Sequence, residues 1–279
     1  MITPRLVQTT AAVAHHYDQL DSFYREIWGD HVHHGYWANG SETPEQATTA
    51  LVDLVAGTLQ LAPGMAVCDI GCGYGATARL LASHHRVAVT GLTISAAQAA
   101  HAATLPAPGV TILLRDWLAN DLPTHAFDRA YAIESSEHMP DKRLFFDEAF
   151  RVLRPGGILA ICAWLARPRA RAWEIRHLLE PICREGRLPG MAEAAEYRQF
   201  AEHSGFALIG QHDLSRRVAR TWAICLRRGI GRVIADRRTR RFLLDGTASE
   251  RIFALTMLRL LLAYRVGAMR YALFCFHKT

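Results

Sequence analysis

The sequence predicts an α/β fold built on a mostly parallel, seven-stranded sheet, with an N-terminal helical cap and a helical insertion before the last strand. Three observations carry this. From Ala66 onward, short apolar runs alternate with helical stretches, the pattern of a parallel sheet covered on both faces. The first of these runs ends in a glycine-rich turn that opens a helix. Ahead of it only helical periodicity occurs, and helical periodicity returns over a long stretch before the final apolar run.

Taken in order, Ala11 to Trp28 reads as one helix and Pro44 to Leu61 as a second, with Thr43 and Gln46 forming a capping box and Pro44 in the first helical position. Strands follow at Ala66 to Ile70, Val87 to Leu92, Val110 to Leu114, Asp128 to Ile133 and Gly157 to Trp164. Helical stretches at Arg171 to Arg184 and Glu193 to Ser204 lead to a strand at Phe206 to His212. A long helical region, Arg220 to Tyr264, precedes the closing strand Met269 to Phe276. Residues 1–60 are therefore expected to form a cap and 61–279 one α/β domain, with the insertion spanning about 215–267.

The chain has 279 residues, 50% hydrophobic and 21% charged, enough for an ample core, which excludes disordered and fibrous classes. Lys and Arg number 32 against 26 acids, a net charge of +6 that tolerates acidic partners without requiring nucleic acid. Six cysteines contain no C-x-x-C pair and sit mostly in apolar stretches, which argues against a disulfide framework or zinc site and fits a reducing cytoplasm. Residues 1–5 lack the basic and apolar pattern of a signal sequence, and the most apolar segment, Ile252 to Phe276, is interrupted by Arg259, Arg265 and Arg270, so no transmembrane segment is expected.

The strongest local signal is Val67-Cys68-Asp69-Ile70-Gly71-Cys72-Gly73-Tyr74-Gly75-Ala76. Glycines allow a sharp turn and close approach of a ligand to the backbone, and the helix start that follows offers free N–H groups. Written as G-x-G-x-x-A it also fits a dinucleotide site. That fold wants an acid about 20 residues later for a ribose, and the second strand ends Thr90-Gly91-Leu92-Thr93-Ile94-Ser95 without one. Asp116-Trp117, after the third strand, instead offers a carboxylate for an adenine amino group and an indole for its face. These features describe a nucleoside site with no evident pyrophosphate cradle.

These residues resemble the class I S-adenosylmethionine-dependent methyltransferases, with Asp69 to Gly75 as motif I. More narrowly, His16-Tyr17-Asp18, His31 to Trp37, Gly91 to Gln98, Glu134 to Lys142 and Arg154 to Gly157 are similar to the γ-tocopherol methyltransferase group, which is related to the cyclopropane fatty acid synthases. The resemblance implies a Rossmann-like methyltransferase fold with S-adenosyl-L-methionine as cofactor and S-adenosyl-L-homocysteine as product. It further implies that Gly71, Gly73 and Gly75 line the methionine moiety and that Asp116 and Trp117 bracket adenine. Thr93 and Gln98 replace the ribose acid, Ile133 and Glu134 lie beside the sulfonium, and Tyr17 and His33 close over the cofactor. Ser95 and Gln98 equally suit a helix capping box.

At the end of the fourth strand Glu137 and His138 face the cleft. A histidine near its ordinary pKa of ~6.5 can take a proton at neutral pH, so His138 is the expected base, with Glu137 orienting it. A loop-fixing Glu–His hydrogen bond is the competing reading. The histidines at 31, 33 and 34 invite a metal, but adjacent histidines on a loop do not supply a tetrahedral set, and no metal is expected. Ten arginines, at 216, 217, 220, 227, 228, 232, 237, 238, 240 and 241, face one acid, Asp236. They could form a solvated face, a dock for anionic lipid head groups, or a clamp for an acidic substrate. Phe253, Leu255, Met257, Leu258, Leu260, Leu261 and Leu262 either line an acceptor pocket or pack a core.

The expected activity is methyl transfer to a hydrophobic aromatic or polycyclic small molecule, on carbon or oxygen, by a cytoplasmic enzyme that binds no nucleic acid and for which peripheral membrane contact stays open. A cyclopropane-synthase-like lipid methyltransferase, an NAD-dependent dehydrogenase and an inactive binding protein of the same fold are the alternatives.

Overall fold

A computed structural model describes residues 1–237, 240–241 and 253–279, with side chains in the last stretch from residue 256 onward. Arg238 and the side chains of Phe253 and Leu255 lie outside the described residues. Seven strands form one sheet: β1 (Ala66–Ile70), β2 (Ala88–Thr93), β3 (Val110–Leu114), β4 (Phe127–Ile133), β5 (Leu153–Ala166), β6 (Phe206–Asp213) and β7 (Met269–Lys278). Their order is β3-β2-β1-β4-β5-β7-β6. All pairings are parallel except those of β7, which runs antiparallel to both neighbours. The predicted fold class is therefore the observed one.

Helices α3 (Pro44–Leu59) and α4 (Ala76–His85) cover one face. Leu51, Val55, Leu59 and Leu81 pack there on Val89, Tyr131, Tyr271 and Leu273. On the other face lie α6 (Lys142–Val152) and α9 (Ala194–His203), where Phe145, Phe146 and Tyr197 meet Phe206, Phe274 and Phe276. The odd and even residues of β7 divide between these two cores because side chains alternate across a pleated strand. The Thr43 capping box forms as expected, and a left-handed Gln60 ends α3 two residues early.

Three expected helices are divided. Ala11 to Trp28 becomes α1 (Thr10–Gln19) and α2 (Asp21–Ile27), because Leu20 leaves helical geometry at φ −97°, ψ 10° and buries its side chain. Residues 172–185 run as α7 (Ala172–Glu174), a π-helical turn at Ile175–Leu179 and α8 (Glu180–Glu185). Pro181 has no N–H and its ring crowds the carbonyl one turn back, which a wider turn relieves. Between β6 and β7 the chain forms α10 (Ser215–Val218), α11 (Arg220–Ala235), which stops at an extended Asp236, and α12 (Phe253–Val266). With α2, α8 and the start of β7 these helices enclose a third core containing Ile27, Leu179, Ile182, Trp222, Leu260 and Met269. The apolar face of α12 thus packs inward through Met257 and Leu260 but leaves Leu258 and Leu262 exposed. No helix among the described residues is long and apolar enough to cross a membrane.

Phe146 is fully buried and packs edge-on against Phe145, Tyr197 and Phe276. Phe146→Ala should lower unfolding free energy by about 3–5 kcal/mol, measured by denaturant titration.

Candidate active site

The carboxyl ends of parallel strands are where an open α/β sheet binds ligands, and a cleft lies there. Its walls include Tyr17 from α1, Gly71 and Gly73 after β1, Thr93 and Gln98 after β2, Asp116 and Trp117 after β3, and Ile133, Glu134 and His138 after β4. These ten expected site residues are brought together. Val13, Val32, Ser135 and Met139, which the sequence did not single out, are among the other residues of the same walls.

The two inner glycines have different reasons. A Cβ on Gly71 would run into the Ser135 side chain, whereas one on Gly73 would meet nothing within 4 Å. Gly73, at φ +54°, therefore keeps open a stretch of wall that a side chain would fill. Gly75 is the left-handed cap of α4, and a Cβ there would press on Ile112 at 3.2 Å. It shapes the turn and does not line the cleft.

After β2, Thr93 Oγ1 donates to Gln98 Oε1 at 2.7 Å, while Ser95 Oγ accepts from Gln98 N–H at 3.1 Å. Ser95 therefore caps α5 (Ala96–Ala103), and the Gln98 side chain turns to Thr93 and the cleft, away from a reciprocal cap. Asp18 of α1 reinforces this corner, accepting from Ser95 Oγ at 2.5 Å and Ala97 N at 3.1 Å. Asp116 Oδ1 accepts from Leu118 N at 2.9 Å, and the buried Trp117 indole donates to the Phe145 carbonyl at 3.2 Å.

Asp69 and His33 lie behind the glycine turn, beside a smaller cavity. Tyr131 donates to Asp69 Oδ2 at 2.7 Å; burial pushes that carboxyl up to about 7 despite the bond. His33 donates from Nδ1 to the His34 carbonyl at 2.8 Å, and His31 Nδ1 stands 3.2 Å from His33 Nε2. Burial, together with the charges of His33 and Arg79, lowers His31 to about 3. Among the described residues no three His, Cys, Asp or Glu side chains are grouped to hold a metal ion.

Glu134 ends β4 with a left-handed φ of +54° and a carboxylate that accepts four hydrogen bonds. Oε1 takes His34 N–H and the Tyr271 hydroxyl, each at 2.7 Å, and Oε2 takes His34 Nδ1–H and the Trp164 indole, each at 2.8 Å. Burial would raise its pKa, but the charge and hydrogen bond of His34 outweigh it and hold the group at about 2. Glu134 was expected to contact the cofactor. Its oxygens are instead committed to protein donors, so it can act on a ligand in the cleft through its charge alone.

His138 also departs from expectation. Its Nδ1 faces the Arg187 carbonyl at 3.4 Å, which makes Nε2 the acceptor of the Tyr17 hydroxyl at 3.0 Å. Burial, with the His16 charge adding to it, lowers His138 to about 3. Both ring nitrogens are engaged and the ring is a weak base. Glu137 does not reach it: Oε1 accepts from Trp164 N–H at 2.5 Å and Oε2 from Ser136 Oγ at 3.2 Å. Burial raises Glu137 to about 8, with the Glu134 charge adding to the effect against the Trp164 bond. It is a structural carboxyl, its oxygens committed to β5 and Ser136.

Beyond a wall shared by Tyr17, Val32, Glu134 and His138 lies a second, small chamber lined by Tyr24, Trp28, Trp164, Leu188 and Trp222. Four of the arginines hold the cap that closes it. Arg217 bonds the carbonyls of Trp37 and Ala38, Arg220 that of Gly40, and Arg228 that of Ile27 at 2.7 Å, while Arg232 pairs with Glu26 at 2.5 Å. A clamp on the N-terminal segment is a use that arginine spacing alone did not indicate.

Two predictions follow from these contacts. Gly73→Ala should cost only about 1 kcal/mol of stability, the price of a left-handed alanine, yet abolish binding of S-adenosylhomocysteine by calorimetry; Gly71→Ala should destabilise more through Ser135. For Glu137, the folded-state pKa near 8 lies above the unfolded 4.5, so the folded form binds more protons between these values and stability falls as pH rises through that window. Glu137→Gln should flatten the decline in melting temperature from pH 5 to 8.

The family model described as "Mycolic acid cyclopropane synthetase" matches residues 5–255. Among curated relatives, 2-methyl-6-phytyl-1,4-hydroquinone methyltransferase of Synechocystis sp. is 33% identical over 221 residues, 74% of this chain and 66% of the relative, just under two thirds of its length. The 27-O-demethylrifamycin SV methyltransferase of Amycolatopsis mediterranei is 34% identical over 212 residues, covering 74% and 77%. The structure of the cyclopropane synthase MmaA2 from Mycobacterium tuberculosis superposes with a TM-score of 0.83 at 27% identity, covering 98% of this chain and 100% of that one. The chain belongs to the mycolic acid cyclopropane synthetase family of class I S-adenosylmethionine-dependent methyltransferases.

Proposed function

We propose that the protein transfers the methyl group of S-adenosylmethionine to a hydrophobic aromatic or polycyclic small molecule seated in the Trp- and Tyr-lined chamber. The observation that carries this reading is the shared wall: the glycine-floored cleft and the aromatic chamber meet across Tyr17, Val32, Glu134 and His138. Bound in the cleft, the cofactor supplies an electrophilic methyl on a sulfonium. Gly73 leaves room for its methionine moiety, Thr93 and Gln98 hold the ribose, and Asp116 with Trp117 takes the adenine. The Glu134 carboxylate, ionised across the physiological range, favours a cation at this wall over the neutral product.

The chamber's rings suit a flat, apolar acceptor, and closing it under α1, α2 and α11 excludes water from the transfer. Holding cofactor and acceptor in line supplies most of the acceleration. His138 serves as a wall and hydrogen-bond partner for Tyr17, since a base pushed down to about 3 gains little from taking a proton at pH 7. A reducing cytoplasm suits the six buried thiols.

The test is mass spectrometry of hydroquinone, phenolic and polyketide acceptors incubated with isotopically methyl-labelled cofactor. Label in an aromatic or polycyclic product is expected; label confined to unsaturated fatty acyl chains would assign lipid modification instead. His138→Asn should keep turnover within a factor of a few and leave the pH dependence unmoved, with any loss appearing in KM for the cofactor.

A further inference from the structure

We propose that His34, oriented by Glu134, is the base that accepts the proton of an acceptor hydroxyl, and that Trp222 and Tyr264 seat that hydroxyl's oxygen. The inference rests on the methyltransfer reading above and narrows its acceptor to a hydroxyl-bearing molecule. It starts from three buried polar atoms that have no hydrogen-bond partner among the described residues: His34 Nε2, Trp222 Nε1 and the Tyr264 hydroxyl. Buried polar atoms are nearly always satisfied, so each exception needs a physical account. The Trp222 and Tyr264 rings each pack against the His34 ring, with centroids 5.2 Å away for Trp222 and 5.7 Å for Tyr264.

Their chemistry is complementary to one group. The Glu134 carboxylate takes Nδ1–H of His34 at 2.8 Å, and the backbone N–H of the same residue fixes the other oxygen at 2.7 Å. This selects the tautomer of the neutral ring whose lone pair is on Nε2. Trp222 Nε1–H can only donate, and Tyr264 can do either. A hydroxyl, which donates through its hydrogen and accepts through its oxygen, satisfies His34 and Trp222 together. An ether or hydrocarbon does not. His34 and Trp222 both line the aromatic chamber, and Glu134 lies in the wall it shares with the cofactor cleft.

In the transfer step the acceptor hydroxyl gives its proton to His34 Nε2 while its oxygen forms the new bond to the methyl carbon, and the electron pair of the broken carbon–sulfur bond stays on sulfur. The imidazolium is left against the Glu134 carboxylate and returns its proton to solvent when the chamber opens. Titratable groups facing the ring are Glu134 at the end of β4, Tyr271 on β7, Tyr264 on α12 and the preceding His33. His138, with its Nε2 bonded to Tyr17, is not available for this proton.

Binding and turnover test the two parts separately. Calorimetric titration of the S-adenosylhomocysteine complex with methylhydroquinone and with toluene should show wild type preferring the hydroquinone. Trp222→Phe and His34→Gln should each lose about 10-fold for methylhydroquinone and less than twofold for toluene, with unchanged affinity for S-adenosylhomocysteine as the check that the site is folded. Equal losses for both probes overturn the oxygen subsite. With labelled cofactor, His34→Gln should slow transfer to a weakly acidic phenol ~10²–10⁴-fold and remove the acidic limb of the rate profile, while a more acidic phenol recovers much of the rate. Transfer at an unchanged rate and pH profile overturns His34 as the base. If wild type labels no acceptor of any class, the methyltransfer reading itself fails, whatever the binding results.

Discussion

A single buried carboxylate, Glu134, sets the relation between the sheet and everything that closes over it. Its four donors come from three places: His34 in the N-terminal segment, Trp164 on β5 and Tyr271 on β7. A buried ion is tolerated only when its hydrogen-bonding capacity is filled, and removing one partner of such a group typically costs about 3–5 kcal/mol. The cap therefore cannot dock in another register without stranding the charge. The left-handed backbone of Glu134 is part of the same arrangement, because it turns the side chain from the strand end toward these donors.

Around that point the cap and the insertion are fastened to each other as well as to the sheet. Asp18 pins α1 to the start of α5 at the Thr93–Gln98 corner of the cleft, and Arg217, Arg220, Arg228 and Arg232 grip the backbone or acids of residues 26–40 from the insertion. The two chambers draw on the chain in different proportions. The cleft is built mainly on the strand ends, with Val13, Tyr17 and Val32 from the N-terminal segment, and the aromatic chamber mainly on that segment, residues 186–188 and α11, with Glu134, His138 and Trp164 from the sheet. This division lets a family keep one cofactor site while its acceptors differ.

The sheet was legible because strands buried on both faces are continuous apolar runs and each ends where a glycine or polar loop begins. The cleft residues were legible as positions, since Gly73, Gln98, Asp116 and His138 all follow a strand end. What was not legible depends on contacts between distant residues. His34 and Glu134 are 100 residues apart, and nothing in the histidine cluster marks which ring turns to a carboxylate. The ordinary pKa expected for His138 failed because α1 covers the ring and Tyr17 occupies its nitrogen. Glu137, one residue before it, points to β5 because the 3-10 turn at Ser136–His138 separates adjacent side chains. Arginine spacing on α11 showed a basic face but not the carbonyls that this face would meet.

The central claim is that the cofactor's reacting end lies against the Tyr17, Val32, Glu134 and His138 wall, so that the methyl is delivered into the aromatic chamber. The most direct measurement is a crystal structure of the S-adenosylhomocysteine complex. The account predicts the thioether sulfur at that wall, with adenine at Asp116 and Trp117 and the carbon chain passing over Gly73. A sulfur turned away from the wall, or adenine bound on the chamber side, would contradict it.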